Sequence, residues 1–283
     1  FGKNWSFFDL ARYQFGTTYD SESINNNYTG AHNAKVGADW FVNKKHTLGV
    51  LASGSYFDSR SEGTTTTLIV PDSTGEVYQR LIANNTGTGL NYNIAGNVNY
   101  RFADTLGHEL TIDGDYAIYD RVASNYQPNL YIDGSTGDTL FSNNYRMSTP
   151  TDIQIVSAKA DYSMNLWKGK FSVGAKFSLV TTDNTFEFFD VAGGEEIKNE
   201  NRSNQFVYKE NINALYVNYA RKLGTKWNLQ LGLRGEQTNS VGELTSTQSS
   251  ADDLVERHYF NLFPSGGLTD MPSHKHMWSM TFS

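Results

Sequence analysis

The residues able to do chemistry are few and scattered. Six histidines occur, at positions 32, 46, 108, 258, 274 and 276. His46, His108, His274 and His276 stand beside short polar turns, where an imidazole is most simply a solvated interfacial side chain. His274 and His276 have the spacing of one strand face, yet no third ligand lies near them and no HExxH occurs. His32 and His258 fall near the far ends of patterned runs, where a neighbouring carboxylate would suit a hydrolase, but no carboxylate–histidine spacing singles out a site. GxSxG, P-loop and GxGxxG signatures are absent, and Gly87-Thr88-Gly89 starts a run where backbone flexibility is the simpler role. With no Cys, disulfides, thiol catalysis and thiolate-bound metals are out.

Charges gather in three places. Glu187, Asp190, Glu195, Glu196 and Glu200 stand against Lys198 and Arg202, and Asp252, Asp253 and Glu256 make a second acidic patch. Either could offer oxygen ligands to Ca²⁺, but neither has a calcium-loop pattern, so solvated surface is expected. Asp113, Asp115, Lys159, Asp161, Lys176, Arg234 and Glu236 keep to one parity of their runs, the arrangement of charge ladders lining a lumen. The expectation is therefore no catalytic, cofactor-binding or metal-binding residue, no cofactor, and no enzyme.

Strict alternation positions these residues. Leu90, Tyr92, Ile94, Val98, Tyr100 and Phe102 alternate with Asn91, Asn93, Ala95, Asn97, Asn99 and Arg101. Leu110 to Ile118 and Trp227 to Gly235 repeat the pattern, and similar runs lie near 5–19, 31–42, 47–58, 152–166, 170–182, 209–223, 257–270 and 275–283. Successive strand side chains point to opposite faces, so each run is a strand with one apolar and one wet face. The eleven runs are mostly 10–15 residues long, whereas strands of soluble sheets have a mode of about 5–6. A tilted bilayer crossing takes about 9–11.

Connections alternate as well. Short turns fall at 43–46, 103–107, 167–169, 224–225 and 272–274, and long polar links at 20–30, 59–87, 122–151, 183–208 and 241–256. Short periplasmic turns and long outer loops are the plan of an outer-membrane barrel. Trp5, Trp40, Trp167, Trp227 and Trp278 lie near short turns or the N-terminus, as in an interfacial aromatic girdle. Hairpins are expected within 64–82 and 129–141, and mobile loops at 20–30 and 241–256. The fold expected is all-β, part of an antiparallel transmembrane β-barrel in a Gram-negative outer membrane.

Composition agrees. Mean hydropathy is −0.51 and the longest apolar runs are four residues, such as Ala214 to Val217, so no helix spans a membrane. An aromatic content of 14% argues against disorder, and a net charge of −7 against a nucleic-acid partner. Phe1 and Ser283 both lie in patterned sequence, so residues 1–283 read as one barrel segment cut at both ends, without a plug domain. Such a segment is expected to associate through its edges near 5–19 and 275–283 and to show no uptake alone.

The hairpin from Ala38-Asp39-Trp40-Phe41-Val42 through Asn43-Lys44-Lys45-His46 to Thr47-Leu48-Gly49-Val50 resembles the outer-membrane β-barrel family of Bacteroidetes that is similar to TonB-dependent receptors. Tyr259-Phe260-Asn261-Leu262-Phe263-Pro264-Ser265 with Met277-Trp278-Ser279-Met280-Thr281, and Leu223 to Leu229 before Leu233-Arg234-Gly235-Glu236, resemble it too. The resemblance implies a plugged barrel importing nutrients too large for porins. It implies as partners outer-membrane lipid, the barrel-assembly machinery, an inner-membrane energy-coupling complex and a surface lipoprotein. The chain departs from that plan in lacking a plug, a coupling segment and a terminal aromatic residue; full transporters of this type have 22 strands, about twice the number here. Asp270 also takes a parity where an aromatic is expected. The expected function is the barrel part of a receptor-like protein for nutrient uptake, against a structural or adhesive barrel, or a hydrolase.

Overall fold

A computed structural model describes residues 2–248, 253–273 and 276–282. Twelve strands form one antiparallel sheet. They are β1 (Gly2–Gln14), β2 (Thr17–Phe41), β3 (His46–Pro71), β4 (Gln79–Ala103), β5 (Glu109–Asp133) and β6 (Thr139–Leu166), then β7 (Gly169–Ala192), β8 (Glu195–Lys198), β9 (Asn204–Leu223), β10 (Trp227–Ser246), β11 (Leu254–Ser273) and β12 (His276–Phe282). Each strand pairs with its neighbour in sequence, except that β7 pairs with both the short β8 and β9. Between β3 and β10 the long strands have a neighbour on both sides, as a sheet lying in hydrocarbon requires, whereas β1 and β12 are edges with one neighbour each.

The two faces are inverted relative to a soluble sheet. Along β4, the even residues from Asn84 to Val98 are exposed while the odd ones are half-buried or buried. The exposed row holds Leu90, Tyr92, Ile94 and Val98, with Ile94 and Val98 about 60% exposed. Asn and Gly make up most of the covered row. Small polar side chains are the less accessible ones only if the sheet curls towards them. Apolar residues are thus on the convex face and polar ones on the concave face. Among the described residues the buried apolar side chains are Phe188 and Ala214, too little for a core.

Register carries this division across the sheet. Ala38, Val50, Val98 and Gly114 share a convex row, as do Val217 and Leu233 further round. On β3, β5, β7 and β10 the convex apolar row spans 48–56, 110–118, 171–179 and 227–235, nine residues each time. Nine residues are about 30 Å of strand, which at a tilt of roughly 40° covers the ~25 Å apolar band of an outer-membrane barrel. Beyond it the convex face turns polar: Asp58, Arg60 and Glu62 on β3, Asp120 on β5, Asp183 on β7, Asn239 on β10.

Three expectations need correction. The sheet has twelve strands rather than eleven, and they run to 28 residues. The long links are largely strand, including 17–29, which pairs with β1 on one side and β3 on the other. Residues 20–30 are therefore no loop, and the 241–256 link begins as strand as far as Ser246; residues 249–252 lie outside those described. Above the membrane both faces are wet, so nothing selects apolar alternation there. Side-chain pairs such as Ser21–Thr67 at 2.9 Å and Ser23–Thr65 at 2.8 Å join the strands instead. The hairpins expected within 64–82 and 129–141 are present as the ends of continuous strands.

The run at 5–19 is broken by a two-residue turn at Phe15-Gly16, with φ of 50° and 72°. Two positive φ values mark a type I′ hairpin turn, usually signalled by Asn-Gly or Asp-Gly, and Phe hides that signal. Trp167-Lys168 makes the same turn without glycine, at φ of 50° and 62°. The outer tip at 134–137 is held by Asp133, whose carboxylate accepts from the Ser135 hydroxyl (2.6 Å) and the backbone N–H of Ser135 and Thr136 (2.8 and 2.9 Å). The Ser135 hydroxyl, then those amides, hold its carboxyl down at about 2.

The face assignment has a direct check. Cysteine placed at Val98 should react with a lipid-restricted maleimide in assembled membranes, and cysteine at Asn97 with a water-soluble one. Equal lipid labelling, or labelling of position 97 alone, would reverse the faces.

Candidate functional site

The candidate site is the concave wall at membrane depth. Charged residues lie there in two adjacent rows. One runs Asp39, Asn99, Asp113, Lys159, Lys176 and Glu236 from β2 to β10; the next holds Arg101, Asp161, Tyr216 and Arg234. The expected ladder Asp113, Asp115, Lys159, Asp161, Lys176, Arg234 and Glu236 is thus placed on one face by the register.

Partners close much of this charge. Lys159 meets Asp161 at 2.7 Å, and Arg234 meets Glu236 at 2.7 Å. Glu109 lies between Arg101 (2.9 Å) and Lys170 (3.6 Å) at the short-turn end. Asp115 accepts from Asn97 (2.7 Å) and Ser157 (2.9 Å), and Asn99 donates to Asn97 at 2.8 Å. Partly exposed pairs of this kind each contribute ~0–1 kcal/mol. Their effect is a polar wall in which charges of both signs lie side by side.

Tyr216 was not singled out by the sequence. It lies across Gly174 to donate to Asp161 at 2.6 Å, with Arg234 5.7 Å from its ring centre. Any Cβ at position 174 would overlap that ring. Only the register β6–β7–β9 brings Asp161, Gly174 and Tyr216 into line, so no local signal could have found the bridge.

The remaining candidates fall elsewhere. His46 Nδ1 is 2.7 Å from the Tyr100 hydroxyl and His108 Nδ1 is 2.6 Å from that of Tyr162, both on the convex rim near short turns. These rings are hydrogen-bonded rather than merely solvated. His258 lies 3.0 Å from the Asn239 amide oxygen, and His32 beside Tyr56, both on the convex face. His274 and Asp252 lie outside the described residues. Trp40, Trp167, Trp227 and Trp278 sit at short turns, but Trp5 pairs with Asn26, well up β2 from Trp40, and is no part of that girdle. Asp270 lies between Trp227 and Trp278 on the convex face, as its parity implied.

The 183–208 segment is ion-paired surface. Glu196 binds Arg146 at 2.5 Å, Lys198 reaches Glu187 at 3.5 Å and Glu200 at 3.7 Å, and Asn199 donates to Asp190 at 2.7 Å. Arg202 caps the buried Phe188 ring at 3.4 Å, and Tyr145 stacks on it at 5.2 Å. Among the described residues no cluster of three or more His, Asp or Glu is arranged to hold a metal ion.

One row was unforeseen. Asp120, Asp152 and Asp183 are direct cross-strand neighbours on the convex face just beyond the apolar band. Tyr92 donates to Asp120 at 2.9 Å and Gln205 to Asp183 at 2.9 Å. Partial burial, then the facing Asp120 charge and hydrogen bond, then Asp183, raise the Asp152 carboxyl above its ordinary value. A raised carboxyl means the folded state binds the proton more tightly. Stability therefore falls as pH rises from the ordinary Asp value through the raised one, and the repulsion persists above it. Asp152→Asn should stabilise the barrel at pH 7 by about 0.5 kcal/mol, with the difference vanishing below pH ~4. Thermal unfolding in detergent at both pH values measures this; an unchanged or lower midpoint at pH 7 contradicts it.

Two larger depressions, of about 850 and 690 Å³, lie chiefly on the apolar face, with linings that include Leu215, Val217 and Leu233, and Val36, Val50 and Val98.

A strand-crossed membrane wall of this kind defines the class. Residues 101–283 match the outer membrane protein beta-barrel family, and the chain belongs to that family, which places it in the outer membrane. Among solved structures it is similar to the siderophore receptor PiuA from Acinetobacter baumannii, at 13% identity over 96% of this chain and 47% of that one, with a TM-score of 0.48. It is similar also to the ferric citrate transporter FecA in the unliganded form, at 10% identity over 96% and 42% of the two chains, with a TM-score of 0.46. The outer membrane protease OmpT from Escherichia coli gives 11% identity over 94% and 87%, with a TM-score of 0.26. The chain spans about half the length of the first two structures. No curated protein matches it.

Proposed function

We propose that this chain forms part of the wall of a receptor-like outer-membrane barrel that takes up a nutrient with energy from the inner membrane. The concave charge ladder carries this reading. A barrel serving only as an anchor needs the convex apolar band but has no use for a row of charges of both signs such as Asp113–Lys159–Lys176–Glu236. Strand hairpins rising well above the band supply a vestibule in which cargo is captured, and the sequence resemblance to TonB-dependent receptor-like barrels supports the same role. An energy-coupling complex and a surface lipoprotein are the partners this reading requires, together with outer-membrane lipid and the assembly machinery that inserts the strands.

Cells with and without the gene are compared for the solutes they remove from a mixed medium, before and after uncoupling the inner membrane. Uptake of a solute that needs both the gene and an energised membrane supports the proposal. Gene-dependent uptake that survives uncoupling removes the energised step, and identical depletion profiles remove transport altogether.

A further inference from the structure

Above the membrane band the concave face holds a small pocket of about 290 Å³. Its floor is Gly87, Gly89 and Ala123, and its sides include Arg121, Asn125 and Phe186. Gly87-Thr88-Gly89 lies inside β4 rather than at a strand start, and both glycines face the concave side. Side chains there would meet the hydroxyls of Ser61 and Ser59, which lean over the bare backbone; Ser59 Oγ donates to the Gly89 carbonyl at 3.4 Å. Thr149 Oγ1 donates to Ala123 at 3.3 Å from the other side.

Arg121 stands out electrostatically. Across the concave rows of 23–33 on β2, 55–65 on β3, 83–93 on β4, 119–129 on β5 and 143–153 on β6, the residues are Ser, Thr, Asn, Gln, Gly, Ala and a few apolar or aromatic ones, with Arg121 the single charge; Lys35 lies one row below. It is exposed and makes no ion pair or hydrogen bond among the described residues; of the cations in the wall below, Arg101, Lys159, Lys170 and Arg234 each have a carboxylate, while Lys35 and Lys176 do not. The nearby carboxylates Asp120 and Asp152 point to the opposite face. Asn91, directly across from Arg121, and Asn125, four residues further along β5 and opposite Gly87, have amide oxygens that are covered yet accept no hydrogen bond from the protein. Covered polar atoms are rarely left unpaired in folded proteins, and those that are call for a partner.

We propose that this pocket binds a small acidic sugar or hydroxy acid. One oxyanion pairs with the forked guanidinium of Arg121, which matches carboxylate geometry with two parallel N–H donors. Hydroxyls on the ligand meet the Ser59, Ser61 and Thr149 hydroxyls and the Asn125 amide. The C–H face of the ligand packs against Phe186 and Met147, an apolar surface with no other use in a wet vestibule. The volume admits a single ring, at the lower limit of small-molecule sites. The proposal rests on the concave face being solvent-filled but not on transport, so it is tested by binding alone.

Full-length protein, folded in detergent and checked by heat-modifiable gel mobility, is titrated calorimetrically with glucuronate, glucose and inorganic phosphate. Glucuronate and glucose differ at the carboxylate, so glucuronate should bind saturably and at least about tenfold tighter, the ~1.4 kcal/mol of one charge-assisted contact. Phosphate should bind more weakly than glucuronate. Arg121→Gln should erase the preference, Arg121→Lys should keep part of it, and Gly89→Leu should block both sugars while the protein stays folded. Lys44→Gln, an exposed cation in the short turn between β2 and β3, should change nothing. No saturable glucuronate binding, equal affinity for the two sugars, or a preference surviving Arg121→Gln would overturn the proposal. Phosphate binding as tightly as glucuronate would overturn the sugar-acid assignment by revealing an adventitious ion only.

Discussion

Leu231→Arg should sharply reduce the amount of folded barrel, while Gln230→Arg, one residue away, should leave it nearly unchanged. Leu231 is the central residue of the nine-residue convex row on β10, half-exposed, between Tyr219 on β9 and Gly266 on β11. A guanidinium there faces hydrocarbon at mid-depth, which costs about 2–4 kcal/mol, a large fraction of the stability of an ordinary domain. Gln230 points to the concave face between Ala220 and Gly267, where the new charge meets water and the polar wall. Heat-modifiable mobility of the two variants in isolated outer membranes, followed by urea titration, measures the contrast. Equal losses, or a greater loss at position 230, would show that the faces are reversed or that the segment is not in lipid.

The second large effect is expected at Gly174. The Tyr216 ring occupies the space above this residue on its way to Asp161, so a β-branched side chain displaces the ring, breaks the 2.6 Å hydrogen bond and moves the surface over which Arg234 lies. Overpacking of this kind costs about 1–3 kcal/mol. Gly174→Val should therefore lower the urea midpoint strongly in the native background and only slightly when Tyr216 is already alanine. Double-mutant coupling separates this clash from a general cost of replacing glycine in a strand. Additive losses would mean that the tyrosine bridge is not what requires a glycine there.

The sequence by itself determined the strands at membrane depth, their two faces and their short turns. A bilayer imposes a local rule, that every second side chain must be apolar over about nine residues. Such a rule is legible without knowing any partner strand. The Leu90 to Phe102 and Trp227 to Gly235 runs show it plainly, and Trp40, Trp167, Trp227 and Trp278 mark one rim by their position beside turns. The concave placement of Asp113, Lys159, Lys176 and Glu236 followed from the same parity.

Where the local rule stops, the sequence is silent. Residues 17–29 are strand because β1 and β3 supply hydrogen bonds on both sides, yet Ser, Asn and Thr in water carry no alternation to reveal it. The Phe15-Gly16 turn lacks the Asn-Gly signature that usually betrays its geometry. Tyr216 over Gly174, the row Asp120–Asp152–Asp183, and Arg121 beside Asn91 are all cross-strand relations. Period-two alternation fits equally well at every even shift of one strand against the next. Parity alone says which face a side chain takes, and only the tertiary pairing decides which side chains meet.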